Sequence, residues 1–187
     1  MIRKHLQYNR PLEGPASFAS LSLEAKGHYL ARKVFTLEEV ARLRAEIEAV
    51  YERFPPDHRA GSPTVEHAQM FRYQMFNRSA LCQEAIERRG ILDTIEPLLG
   101  DDCHAISCTA WRNPPGRASA LRGQQWHVDG GPYVARPEGL EWPDHIPYPI
   151  FVITTHIYLQ DVALDDGPTA AIPGSHRSGR LPPHEQM

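Results

Sequence analysis

The chain has 187 residues, 41% hydrophobic and 23% charged, with a net charge of -3. That length and balance suit one globular domain with a real core. They favour neither a nucleic acid nor an anionic membrane surface as partner. No apolar run approaches the roughly 20 residues needed to span a bilayer, and the Met-Ile-Arg-Lys-His-Leu start lacks the apolar core of a secretory signal. Cys82, Cys103 and Cys108 are odd in number and form no Cys-x-x-Cys pair, so neither a disulfide framework nor a zinc knuckle is indicated and a cytoplasmic protein is expected. The unusual counts are 17 prolines, which imply many turns, and 10 histidines, each a potential metal ligand.

Residues 1–26 show no clear periodicity and read as an irregular lead-in. Gly27 to Phe35 reads as a short strand. Thr36-Leu-Glu-Glu39 has the form of a capping box, in which the Thr hydroxyl and Glu carboxylate satisfy first-turn amides reciprocally. It predicts a helix to about Phe54, with Val40, Leu43, Ile47 and Val50 on one stripe, stopped by Pro55-Pro56. Asp57 to Glu66 is polar and reads as a loop. Helices are predicted from about Ser79 to Arg89 and from Ile91 to Leu99, with Gly100 as C-cap.

Strand-like composition begins at Cys103. His104 to Trp111 reads as a strand stopped by Asn113-Pro-Pro-Gly116; further strands are predicted at Gln124–Val128, Pro149–Leu159 and Thr169–Ile172. Helices first and strands afterwards give an α+β, mainly β fold, with a sandwich or barrel carrying helices on its outside.

The sharpest local feature is Gln124-Gln-Trp-His-Val-Asp-Gly-Gly131. On a strand, His127 and Asp129 point to the same face, so an imidazole and a carboxylate can fill adjacent positions on a metal. With a second histidine they would make the 2-His-1-carboxylate triad of non-haem iron(II) oxygenases. Gly130-Gly131 leaves room beside such a metal. The alternative for a bare His-x-Asp is a surface strand on which the two side chains simply pair.

Trp126-His-Val-Asp129 followed by Asp166-Gly-Pro-Thr-Ala-Ala-Ile-Pro-Gly-Ser-His-Arg177 resembles the phytanoyl-CoA dioxygenase family. The helix opening at Thr36 and the Asn113-Pro-Pro-Gly116 turn sit where that family has similar features, so the resemblance runs from about Gly27 to Arg180. It implies a single domain over residues 1–187 with a double-stranded β-helix (jelly-roll, cupin-like) fold. In it residues 1–102 form an N-terminal helical flank and 103–187 the first part of the barrel.

It also implies Fe(2+), the cosubstrate 2-oxoglutarate and O2, with His127 and Asp129 as iron ligands. The activity implied is that of an oxidoreductase: a dioxygenase that hydroxylates or otherwise oxidises a small organic substrate, releasing succinate and CO2. Gln124 matches a position that hydrogen-bonds 2-oxoglutarate in family members, against the alternative of an exposed strand end. His156 corresponds, counting back from Gly167, to a position that contacts the cosubstrate; the competing reading is a satisfied core histidine.

In the family, the turn holding His176 packs and hydrogen-bonds locally, so His176 is not expected to be the third ligand, and neither is His184. That histidine, and an arginine for the 2-oxoglutarate carboxylate, are expected beyond Met187, because only four or five strands are countable where a jelly roll needs about eight. On this reading the chain is expected to belong to a longer protein, the alternative being a barrel completed by something else. Pro132 to Pro149 reads either as a lid or as a surface loop, with Tyr133, Trp142 and Tyr148 as candidate walls of a substrate pocket. Arg112, Arg117 and Arg122 are candidates for a CoA phosphate, or are solvated loop charges. Two further readings stay open: a cupin-type metalloprotein with non-oxygenase chemistry, and a truncated non-catalytic relative.

Overall fold

The computed structural model describes residues 17–56, 69–112, 126–127, 137, 140, 143, 150–166 and 168–178. Among them, helices span Phe18–Lys26 (α1), Leu37–Arg53 (α2), Ala80–Ile86 (α3) and Arg89–Leu99 (α4). Phe71–Arg72 (β1) and Ala110–Trp111 (β2) pair antiparallel, Phe71 opposite Trp111 and Arg72 opposite Ala110. Short 3-10 turns lie at Met75–Asn77, Leu164–Asp166 and Ser175–Arg177.

The helix starting at Thr36 forms as its sequence predicts. Thr36 Oγ1 accepts from the Glu39 amide at 3.2 Å, and a Glu39 carboxylate oxygen accepts from the Thr36 amide at 2.8 Å. The same carboxylate pairs with Arg88, whose guanidinium lies 5.4 Å from the Phe35 ring centroid. The bond from the Thr36 amide is the main cause holding the Glu39 carboxyl below its ordinary range. The start of α2 is thereby tied to the junction of α3 and α4. Leu43, Val50 and Tyr51 are buried on the inner face of α2.

The core gathers where α2, α3 and the ribbon meet: Val50, Tyr51, Met75, Cys82 and Ala110, with Ile47, Phe54 and Cys108 packed against it. Tyr51 joins the two strands. Its hydroxyl donates to the carbonyl oxygens of Met70 and Ala110. Its ring lies between two guanidinium groups, with the Arg72 and Arg112 carbons 4.3 and 4.2 Å from the centroid. Burial pushes the phenol up to about 12, so it remains a neutral donor across the useful pH range.

Arg72 is 5% exposed and serves the end of α2. Its Nε donates to the Phe54 carbonyl at 3.1 Å and its Nη2 to that of Tyr51 at 3.4 Å, while Nη1 reaches the carbonyls of Gln69 and Phe71. The last carbonyls of a helix lack intrahelical partners and carry partial negative charge, and one buried guanidinium meets both needs.

The lead-in expected over residues 1–26 lies outside the described residues as far as residue 16, and its last part is α1, with Ser17 as N-cap. Long-range bonding holds it where sequence periodicity gives no signal. Pro97 lies inside α4 and has no amide hydrogen for the Asp93 carbonyl four residues back. That carbonyl accepts instead from Ser17 Oγ at 3.2 Å and Ser20 Oγ at 3.3 Å, and Ser20 Oγ also reaches the Thr94 carbonyl at 3.0 Å. Ser20 is fully buried at this seam, where a small hydroxyl side chain lets the two helices approach.

Gly27 to Phe35 is not a strand. Lys33 has a φ of 58°, which breaks an extended run, and Val34 packs on Gly90 rather than entering a ladder. The strand expected over His104–Trp111 is confined to its last two residues, although the Met75 amide to Cys108 carbonyl bond (3.0 Å) and the Arg112 amide to Met70 carbonyl bond (3.1 Å) extend the pairing of the two segments. The helices expected at Ser79–Arg89 and Ile91–Leu99 are α3, with Ser79 as its N-cap, and α4, with Gly100 as its C-cap.

Residues 150–159 and 168–172 are not in strands either, since a strand exists only where a partner supplies the ladder. They are nonetheless linked, by a 2.6 Å bond between the hydroxyls of Tyr158 and Thr169. The described residues therefore show mixed helix with a small sheet, and a double-stranded β-helix is not seen among them. The loop expected at 57–66 and the turn at 113–116 lie outside the described residues, as does most of the strand expected at 124–128.

Candidate metal and cosubstrate site

His127 is exposed, next to Trp126, which is 37% exposed. Neither residue is in a helix or strand. Asp129 and Gln124 lie outside the described residues, as do the candidate pocket walls Tyr133, Trp142 and Tyr148. No group of three or more His, Cys, Asp or Glu side chains that could hold a metal occurs among the described residues. An exposed imidazole followed two residues later by a carboxylate is the donor chemistry that suits Fe(II).

His156 is exposed in the irregular segment 150–159, and its ring lies 6.4 Å from that of Tyr158. Tyr158, whose ring neighbours that of His156, is bonded through its hydroxyl to Thr169.

His176 does hydrogen-bond to backbone, but across the chain rather than locally. Its Nε2 lies 2.8 Å from the Glu24 carbonyl, and the Gly174 amide donates to the Lys26 carbonyl at 2.8 Å. Both carbonyls belong to the last turn of α1, so the Pro-Gly-Ser-His turn serves as its C-terminal cap. The fit requires Gly27: its φ is 79°, and a Cβ there would stand 2.3 Å from His176 Nδ1. Nε2 is thus committed to a carbonyl, and Nδ1 lies against Gly27.

Burial, followed by the charges of Arg177 and His28, lowers the His176 pKa from its ordinary 6.5. A histidine held neutral in the fold contributes stability that is present above the unfolded value and is lost as pH falls through the folded one. Thermal midpoints of the wild type should therefore fall more steeply below pH 6.5 than those of His176→Gln, whose amide can still donate to Glu24 but does not titrate. Parallel pH profiles for the two proteins would contradict this.

Arg112, one of the candidate phosphate contacts, has partners within the fold. It pairs with Glu48 and stacks on Tyr51. Arg117, Arg122 and His184 lie outside the described residues.

The family model for phytanoyl-CoA dioxygenase (PhyH) matches residues 23–187. The chain belongs to the phytanoyl-CoA dioxygenase family. The match takes in the last turn of α1, all of α2 to α4, both strands, the His-Val-Asp segment and the capping turn at His176. Phytanoyl-CoA dioxygenase family members are generally of cupin or jelly-roll fold, and the family's activity is that of Fe(II)/2-oxoglutarate-type oxygenases. No curated protein and no solved structure matches the chain. No helix among the described residues is long and apolar enough to cross a membrane.

Tyr51, Arg72 and the Ser20 seam were not visible as special positions in the sequence. Each acts through residues far along the chain, and no local spacing announces that. The one prior signal was Pro97 within a helical pattern, which leaves the Asp93 carbonyl in need of a donor.

Proposed function

We propose that this protein is an Fe(II)- and 2-oxoglutarate-dependent dioxygenase acting on a small organic molecule. The observation that carries the reading is the family match over residues 23–187, with His127-Val-Asp129 inside it. The overall reaction converts a substrate C–H bond, O2 and 2-oxoglutarate into an oxidised substrate, succinate and CO2. Bound iron and 2-oxoglutarate supply the oxidative chemistry.

The chain's own residues bind and orient. His127 and Asp129 hold the metal as two ligands on one face. Gln124 donates a hydrogen bond to 2-oxoglutarate. His156 lines the cosubstrate's surroundings, with Tyr158 and Thr169 on its flank. Tyr133, Trp142 and Tyr148 supply apolar walls that hold the substrate and keep water out. Residues 103–187 contribute the first part of a jelly-roll barrel, and helices α1 to α4 flank it.

Incubation with Fe(II), 2-oxoglutarate and O2 is expected to yield succinate, at a basal rate without substrate and faster when a substrate is present. Succinate formation should stop when any one of the three is withheld. Succinate that does not depend on iron, or none with a panel of acyl-CoA thioesters, amino acids and natural-product intermediates, would count against the proposal.

A further inference from the structure

Residues 150–178 carry His156 but own no part of the core, since none of the described residues among them is buried. A segment with few buried apolar contacts lies at the low-stability end of a fold, and specific bonds decide where it rests. Two such bonds reach the last turn of α1. His176 Nε2 lies 2.8 Å from the Glu24 carbonyl, 152 residues away in the chain, and the Gly174 amide donates to the Lys26 carbonyl at 2.8 Å. The turn that presents them is closed by the Ser175 amide on the Ile172 carbonyl and the Arg177 amide on the Gly174 carbonyl, both at 3.1 Å.

The start of α1 is bonded elsewhere. Ser17 and Ser20 donate to the Asp93 and Thr94 carbonyls of α4. One end of α1 therefore sits on the helical flank and the other on the turn that ends the His156 segment. Both serines precede residue 23, where the family match starts. From the turn the contacts continue towards His156: Thr169 is bonded to the Tyr158 hydroxyl at 2.6 Å, and the Tyr158 ring neighbours that of His156.

We propose that α1 is a clasp for the cosubstrate side of the site, and that His176 is a positioning residue acting on 2-oxoglutarate through His156. The inference rests on the reading of His156 as a cosubstrate contact. The bonds act in series: α4 holds α1, α1 holds the turn, and the turn fixes the end of the segment that presents His156. Misplacing a binding group by about 1 Å can cost up to a hundredfold in rate, so an anchor remote in sequence is felt at the site. Gly27 is part of the fastening. A Cβ at this residue would stand 2.3 Å from His176 Nδ1, so any larger residue pushes the imidazole off its carbonyl.

Kinetics and amide exchange on the full chain test this together. His176→Ala should raise the KM for 2-oxoglutarate about fivefold while changing kcat by less than about twofold. His176→Gln should recover most of that loss, because its amide can still donate to Glu24. Gly27→Ala should raise the same KM, and should add little to His176→Ala, since the ring it displaces is already gone. Val34→Ala, which loosens the packing on Gly90, should lower the thermal midpoint and leave this KM alone.

Amide exchange needs neither iron nor cosubstrate. In His176→Ala, peptides covering 20–28 and 168–178 should exchange faster, while those of α2 keep the wild-type rate. An unchanged KM in His176→Ala, an equal rise in Val34→Ala, or unchanged exchange at both ends of the clasp would overturn the proposal. A wild type that forms no succinate would instead remove the cosubstrate reading, and with it the role of His176 at the site, whereas the exchange result would still decide whether α1 holds the turn.

Discussion

His127→Ala and Asp129→Ala are each expected to reduce 2-oxoglutarate-dependent succinate formation more than about a hundredfold. Loss of an outer partner that merely orients a metal ligand costs about 10- to 100-fold, and removing a ligand itself costs more. His127 is exposed, so its truncation leaves no cavity in the core and the fold should be unaffected. Circular dichroism and the thermal midpoint should match the wild type while activity is lost. His156→Ala should behave differently, raising the KM for 2-oxoglutarate more than it lowers kcat, because it is proposed to contact the cosubstrate and not the metal. A His127→Ala protein that kept wild-type succinate formation would remove this residue from the site.

The second large effect is on stability. Arg72→Met should cost about 3 kcal/mol, read as a lower denaturant midpoint. Methionine fills much of the same space but leaves the carbonyls of Tyr51, Phe54, Gln69 and Phe71 without the guanidinium that now meets them. The stack on Tyr51 is lost as well. Arg72→Lys should recover only part of the loss, because an ammonium is a point charge and cannot reach four carbonyls arranged around a planar fork. A change below about 1 kcal/mol for Arg72→Met would mean that water replaces the guanidinium at those carbonyls.

What the sequence revealed and what it hid follow from the range of each interaction. The Thr36 and Glu39 capping box is written within four residues, so α2 was legible from its first turn, and Pro55-Pro56 marked its end. Ser79 and Gly100 similarly bounded α3 and α4. By contrast, α1 is held by Ser17 and Ser20 reaching the Asp93 and Thr94 carbonyls some seventy residues on, and nothing in residues 1–26 signals that. The stretch Gly27 to Phe35 has strand composition, yet Lys33 turns it and Val34 finds Gly90 instead of a neighbouring strand.

The same contrast holds at the candidate site. His127-Val-Asp129 is legible because both proposed ligands sit two residues apart and their chemistry is local. The family motif also warned that His176 serves a turn, although only the structure shows that this turn caps α1 through Glu24 and Lys26. Arg112 shows the converse. Its basic charge suggested a phosphate contact, and the fold engages it with Glu48 and Tyr51. Charge is visible in a sequence, but what has already claimed it is not.

The central claim is that His127 and Asp129 hold Fe(II) in a form that 2-oxoglutarate can chelate. Titrating the protein with Fe(II) and then 2-oxoglutarate, without oxygen, tests it directly. A weak metal-to-ligand absorption band in the visible region should grow until the site is saturated, and should be absent from His127→Ala under the same conditions. A wild-type protein that develops no such band, or a band of equal strength in His127→Ala, would contradict the account.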